Sequence, residues 1–393
     1  MMLLNLNKFI VATLNMKFFS IILILFLSIN NSYANKYSFL KNSEYFLLAD
    51  RDSGEILVSK NKDIKIEPSS MTKLMTAYVI FDQLKKGNIN LDEECQIGMA
   101  AWRKRGSTMF LNIGDIVTIE KLIHGLIIVS GNDASIALAR ATSKTEEEFV
   151  ELMNRTAQKI GMSNSSFRNP HGLNEEDHFT TLNDLFILTK RIWLDFPEFM
   201  PIFSKKNYNY GNIKQQNRNP LIINDYEGAI GMKTGYTDGG GYGVVGASAR
   251  GNRRLIAITN GNETSRKRSE VITNILDYVF NRFKKITIFN KNDVVTKINV
   301  WLGDKRKVKL VTKDEISITM PKYHEIDDIE ILVKHQKPIN PIIVKGEKLG
   351  ELIVKFADSE VSRASLFAGE DIKEAGYFSK LMQILSYRIK TLI

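Results

Sequence analysis

Three short motifs constrain this chain more than any bulk property: Ser70-Met71-Thr72-Lys73, Ser130-Gly131-Asn132 and Lys233-Thr234-Gly235. The first stands at a helix start behind Pro68, the second at a turn behind an apolar run, the third in a glycine-rich strand. A fold that unites them must bring a helix terminus, a helix–helix turn and a strand to one point. Each motif alone is common. Ser38-Phe39-Leu40-Lys41 and Ser59-Lys60-Asn61-Lys62 repeat the Ser-x-x-Lys spacing and read as surface coincidence.

Ser-x-x-Lys puts a hydroxyl and an amine one helical turn apart on the same face. The hydroxyl becomes nucleophilic when a base takes its proton, and a lysine serves once burial or a neighbouring cation lowers its pKa. Lys233 is the expected cation. The free N–H groups at the start of the helix behind Ser70 favour a developing anion. Ser130 suits a proton relay toward a leaving amine, and Asn132 suits a substrate amide and the orientation of Lys73. The same triplet reads equally as a turn or a cap. Glycine on an edge strand lets a peptide backbone approach closely, where Lys233 and Thr234 suit a carboxylate. The backbone N–H of Tyr236 can pair with that of Ser70 as an oxyanion hole. Together the motifs form a toolkit for attack on an amide carbonyl through an acyl-serine.

The chain has 393 residues, 44% hydrophobic and 25% charged, which fits one large or two globular domains and excludes collagen-like and disulfide-scaffold classes. Lys17, the apolar run Phe18 to Leu27 and Ser32-Tyr33-Ala34 read as a signal peptide over 1–34, cleaved after Ala34, with Met1 or Met16 as its start. The alternative, an uncleaved anchor, suffers from the shortness of the run. The single cysteine, Cys95, rules out an internal disulfide and reads as inert. Losing Lys8 and Lys17 with the leader takes the formal charge from +10 to +8. In an exported protein that charge points to an anionic membrane surface or acidic polymer, with no nucleic acid as partner. The histidines His124, His171, His178, His324 and His335 show no ligand spacing, so no metal or cofactor is expected.

A hairpin is expected over 45–60, and helices from Pro68 to Gly87, near 119–129, over 133–141 and over 266–283. A long loop is expected at 164–177, and paired strands at 244–249 and 254–258. After Lys285 short β runs appear at 294–300, 308–311, 316–320, 329–333, 342–344 and 352–356. At the C-terminus Phe378, Leu381, Met382, Leu385, Ile389 and Leu392 share one helical face, opposite Lys380, Gln383, Ser386, Lys390 and Thr391. Ile384 and Tyr387 interrupt that polar face. Such a helix is expected to lie in a membrane interface, the alternative being a helix docked on its own domain.

The motifs, with Met109-Phe110-Leu111-Asn112-Ile113-Gly114-Asp115, Gly131 to Ala139, Asn169-Pro170-His171-Gly172-Leu173 and Gly231 to Thr237, resemble the low-molecular-mass penicillin-binding proteins. These are the D-alanyl-D-alanine carboxypeptidase group of serine peptidases, peptidase family S11. The resemblance is strong from Tyr45 to Phe283. It implies an α/β fold of β-lactamase/transpeptidase type: an antiparallel sheet flanked by helices, and a helical lobe bearing Ser130. It divides the chain into a catalytic domain over 35–284, a small all-β domain over 285–371 and an amphipathic helix over 372–393.

It implies release of the terminal D-alanine from peptidoglycan pentapeptide stems, acylation by β-lactams, and a location on the outer face of the cytoplasmic membrane. Carried over, Ser70 is the nucleophile, Lys73 its base, and Ser130 and Asn132 the second motif. Lys233 and Thr234 hold the substrate carboxylate, with Arg268 nearby. His171 and Asp184 match positions near the active-site loop and carry no assigned chemistry. Tyr236 stands where the best-known members have histidine. A DD-endopeptidase, a β-lactamase-type hydrolase and a non-catalytic wall-binding scaffold are the alternatives.

Overall fold

A computed structural model describes residues 40, 43–336, 339–356 and 359–392. The expected signal peptide lies outside the described residues. The hairpin β1 (Tyr45–Asp50) and β2 (Ile56–Lys60) joins β3 (Ala229–Thr237), β4 (Gly241–Arg250) and β5 (Arg253–Asn262). The five strands form one antiparallel sheet in the order β2-β1-β5-β4-β3, so β3 is an edge. Phe46 to Asp50 of β1 are all buried, as expected of an inner strand covered on both faces.

The helical body is built on α1 (Lys73–Lys85), α2 (Ile119–Ile127), α3 (Asn132–Thr142), α4 (Glu146–Ile160) and α5 (Leu182–Asp195). Every residue of α1 from Lys73 to Phe81 is buried, not only the stripe that spacing marks out, because the helix runs through the middle of the core. Gly87, at φ +71°, ends the run. Threonine hydroxyls accept from backbone N–H groups at the starts of α2, α4 and α5. Helix α6 (Ser265–Arg282) packs on β4 and β5 and continues without a break into β6 (Phe283–Phe289).

Strand β6 pairs with β9 (Ile316–Pro321). A second five-stranded antiparallel sheet contains β7 (Val294–Asn299), β8 (Lys307–Thr312), β10 (Ile329–His335), β11 (Lys348–Phe356) and β12 (Ser359–Ala368), in the order β7-β8-β12-β11-β10. Its core includes Ile298, Leu310, Leu352 and Leu366. The run expected as a strand at 342–344 is not one: Ile343 makes an isolated bridge to Ile372, and Ile342 stands 70% exposed. Its partner is a single residue rather than a strand, so no ladder extends. Strands β6 and β12 were not foreseen. Lys285 ties the β module to the hairpin, its ammonium 3.1 Å from Asp52 and 3.0 Å from Glu315. Helix α7 (Tyr377–Leu392) closes the chain.

Candidate active site

Ser70 lies in a 3-10 turn, Ser69–Thr72, between Pro68 and α1, one turn earlier than an α-helical start. Ser69 adopts φ +49°, so the chain bends sharply into the turn. Strand β3 runs directly beside it. A Cβ on Gly235 would come within 3.0 Å of the Pro68 carbonyl oxygen and of Ser69 Cβ, so glycine here permits the approach. Ser130 follows α2 with φ +63°, a left-handed residue that turns the chain into α3. The third wall is the loop before α5. At Gly172, φ +82°, a Cβ would lie 1.8 Å from Ser69 O, so this loop too reaches the turn only with glycine.

These elements bring the motif side chains into two hydrogen-bonded groups, one around Lys73 and one around Lys233. Lys73 Nζ lies 3.1 Å from Ser70 Oγ, and donates to Asn132 Oδ1 at 2.7 Å and to the His171 carbonyl at 2.6 Å. Asn132 is itself fixed, its Nδ2 donating to Arg105 O at 2.7 Å. Across the cleft Lys233 Nζ donates to Ser130 Oγ at 2.8 Å and to Thr234 O at 3.1 Å. Lys73, Ser130, Asn132, Lys233 and Thr234 are buried, while Ser70 keeps partial exposure.

Burial drives the Lys73 ammonium down to about 7, with the Arg218 guanidinium adding to the effect and the Asp133 carboxylate opposing it. A neutral amine has two N–H bonds and one lone pair. With the N–H bonds directed to Asn132 and His171, the lone pair is left for the Ser70 hydroxyl. Lys233 is pushed well below its ordinary value by burial first, then by Lys73, Arg218 and Arg268. The charges acting on Lys233 are all positive, which suits a site that waits for a carboxylate.

Comparison with known proteins decides the family. Residues 35–264 match the D-alanyl-D-alanine carboxypeptidase family, peptidase S11, and residues 283–374 match the C-terminal domain of penicillin-binding protein 5. The chain belongs to the S11 D-alanyl-D-alanine carboxypeptidases. DacF of Bacillus subtilis, a D-alanyl-D-alanine carboxypeptidase, is 33% identical over 345 residues, 86% of this chain and 88% of that protein. The crystal structure of penicillin-binding protein 5 from Haemophilus influenzae superposes with a TM-score of 0.80 at 32% identity, covering 84% of this chain and 98% of that one. Penicillin-binding protein D2 from Listeria monocytogenes, in its ampicillin-bound form, covers 61% of this chain at a TM-score of 0.54 and 26% identity. The chain is thus a serine DD-carboxypeptidase of cell-wall metabolism, built on a transpeptidase-like body with a C-terminal all-β domain.

Two groups of the candidate site were not read from the sequence. Arg218 sits beside Ser107, its guanidinium donating to Ser107 Oγ, and is the cation that helps depress Lys73 where Lys233 was expected. The second is the His171 carbonyl, held by a loop in which Asn169 Oδ1 accepts from Gly172 N at 2.6 Å. The His171 ring is buried and driven down to about 2, by burial first and then by Lys104 and Lys73, so it stays neutral. Asp184 lies in the first turn of α5 and accepts from Asn164 N and Ser165 Oγ, which anchors the same loop. Arg268 stands in the first turn of α6, half-buried, with its guanidinium 5.8 Å from the Tyr242 ring and its Nε without a partner. Tyr236 lies on the edge strand, half its surface exposed, with its hydroxyl donating to Asp238 at 2.7 Å. Cys95 is half-buried and raised to about 11, mainly by burial, so it remains a thiol at neutral pH.

Proposed function

We propose that Ser70 is acylated by the penultimate D-alanine of a peptidoglycan pentapeptide stem, with Lys73 as the general base. The observation that carries this reading is the position of Lys73 Nζ, 3.1 Å from Ser70 Oγ and tied by its other bonds to Asn132 and His171. Lys73 takes the hydroxyl proton as Oγ bonds to the carbonyl carbon. The resulting oxyanion is met by the backbone N–H groups of Ser70 and Tyr236. The C–N bond then breaks. Ser130 passes a proton to the departing amine and regains one from the Lys73 ammonium, which returns Lys73 to the neutral amine, and its link to Lys233 keeps Ser130 oriented. D-Alanine leaves; water then attacks the ester carbon as Lys73 takes its proton, and that proton passes to Ser70 Oγ as the ester C–O bond breaks. A β-lactam follows the same first steps. Its amine stays tethered after the ring opens and continues to crowd the ester, so the acyl-enzyme persists.

Lys233, Thr234 and Arg268 bind the terminal carboxylate. A carboxylate placed among Lys233, Arg218 and Arg268 offsets the burial and the repulsion that hold Lys233 down, so substrate binding favours its charged form. Lys233→Ala is expected to lower kcat/KM on a D-Ala–D-Ala peptide far more than on its C-terminal amide, by about 10²-fold for loss of a buried charged pair. Equal loss on both substrates, measured by release of the C-terminal residue, would contradict carboxylate binding.

The enzyme is exported and works at the outer face of the cytoplasmic membrane, held there by α7. No helix of the described residues is long and apolar enough to cross a membrane. Support for surface attachment comes from how α7 docks. It turns its polar face inward: Gln383 accepts from Leu302 N at 3.2 Å and donates to Gly303 O at 3.1 Å. Its apolar face is left outside, with Phe378 81%, Met382 61%, Leu385 47% and Leu381 45% exposed. A helix kept only to complete its domain would bury these. Each contributes of order 1 kcal/mol on partial insertion, and each basic residue near anionic lipid adds about as much. Leu381→Ser with Leu385→Ser is expected to shift the protein from the vesicle pellet to the supernatant while peptide hydrolysis in solution persists. Unchanged sedimentation would remove α7 as the anchor.

A further inference from the structure

Beside α7 the β module holds a groove of about 1110 Å³, far from the Ser70 cleft in sequence and built from β7, β8, β10 and the inward face of α7. Three cations line it, Lys297, Arg306 and Lys307, and no carboxylate does. All three are exposed. Glu370 feels Lys297 but is bound by Lys305. The lining also carries aromatic surface. Trp301 and Tyr387 meet edge to face, ring centres 5.1 Å apart, with Val333 alongside. An aromatic pair with apolar neighbours beside three cations matches an amphiphile with an anionic head.

We propose that this groove binds a single anionic phospholipid, its phosphate on Lys297, Arg306 and Lys307 and part of an acyl chain along Trp301. The charge of the rim favours this occupant, and so does continuity with α7, since Gln383, Ser386 and Tyr387 of that helix line the groove. With the opposite, apolar face of α7 in the lipid, the rim of the groove lies close to the headgroups. Indole and phenol rings are favoured at that depth, where one end of the ring is wet. The proposal rests on membrane docking by α7. It adds that the β module selects the lipid rather than serving only as a spacer. A glycan strand would also use aromatic rings, but it does not call for three cations without a single acid.

The test separates local selection from general attraction. Full-length protein is bound to vesicles of equimolar phosphatidylglycerol and phosphatidylcholine. The bromine that quenches indole is carried on the acyl chains of one lipid or of the other. Composition and surface charge are then identical in both samples. Trp301 fluorescence is taken as the signal lost in Trp301→Phe. Bromine on phosphatidylglycerol is expected to quench Trp301 at least about twofold more than bromine on phosphatidylcholine, because a site filled only by the anionic lipid holds no label in the second sample. Lys297→Gln, Arg306→Gln and Lys307→Gln combined should erase the difference while the protein still sediments with the vesicles. Equal quenching by both labels, or none by either, in protein that sediments would overturn the groove assignment and leave the anchoring by α7 intact. Failure to sediment would remove the anchor and the proposal with it. Protection of Trp301 by soluble glycan strands in place of lipid would assign the groove to sugar and overturn it as well.

Discussion

Ser70→Ala is expected to abolish covalent labelling by a fluorescent penicillin, and to lower peptide turnover by a factor on the order of 10⁶, as loss of the nucleophile does in a serine peptidase. The labelling test is stringent because the other two Ser-x-x-Lys sequences provide internal controls. Ser59 lies at the exposed end of β2, and Ser38 lies outside the described residues. Neither Ser59→Ala nor Ser38→Ala should change the signal. The substitution at Ser70 removes one partly exposed hydroxyl from a turn held by the backbone bond Met71 N to Pro68 O, so the fold should survive. An unchanged melting temperature with no labelling is the predicted pair of results. Labelling that persists in Ser70→Ala would place the ester on another residue.

Lys73→Arg should slow acylation by about 10²–10⁴-fold, the usual contribution of a general base. Guanidinium keeps the charge but does not deprotonate in a protein. The pH profile adds a second readout. In the wild type Lys73 titrates near 7, held low by burial and Arg218. Below that value it is an ammonium with no lone pair for Ser70; above it the amine is free. Acylation is therefore expected to rise with pH through about 7 and to fall away on the acid side. Lys73→Arg should lose that limb altogether. Stopped-flow acylation by a chromogenic β-lactam across pH measures both effects. A near-normal rate in Lys73→Arg, or a wild-type profile flat across neutral pH, would point to a different base.

Much of the fold is legible because local signals and global packing agree. Turn chemistry at Asp50 to Gly54 separates two apolar runs, and β1 and β2 form there. Helices α2, α3 and α6 begin and end within a few residues of where apolar spacing and caps place them. The C-terminal half is harder. Strand β12 is rich in charge and serine, because several of its side chains face water, and shows little apolar alternation. Strand β6 continues directly from α6 with no turn residue between them. The apolar triplet at 342–344 looks like a strand, yet it finds only one bridging partner, Ile372, and exposes two of its three side chains.

The site divides in the same way. Ser70, Lys73, Ser130, Asn132 and Lys233 are marked by motif, and the fold gathers their side chains into two hydrogen-bonded groups, Ser70–Lys73–Asn132 and Ser130–Lys233. The His171 carbonyl carries no such mark, since every residue has a carbonyl and only the loop's path aims this one at Lys73. Arg218 is one of many basic residues, and only the fold sets its charge beside Lys73. The pairing of cations expected from the motifs, Lys233 acting on Lys73, gives way to a larger cationic cluster in which Arg218 acts on both.

Mass spectrometry of muropeptides tests the central claim most directly. Purified peptidoglycan carrying pentapeptide stems is incubated with the full-length protein, or with its Ser70→Ala variant, and then digested to muropeptides. The account predicts that the wild type converts pentapeptide stems to tetrapeptides with release of free D-alanine, leaves cross-linked dimers in place, and that Ser70→Ala does neither. Cross-linked dimers falling while pentapeptides persist, or tetrapeptides accumulating equally with Ser70→Ala, would contradict it.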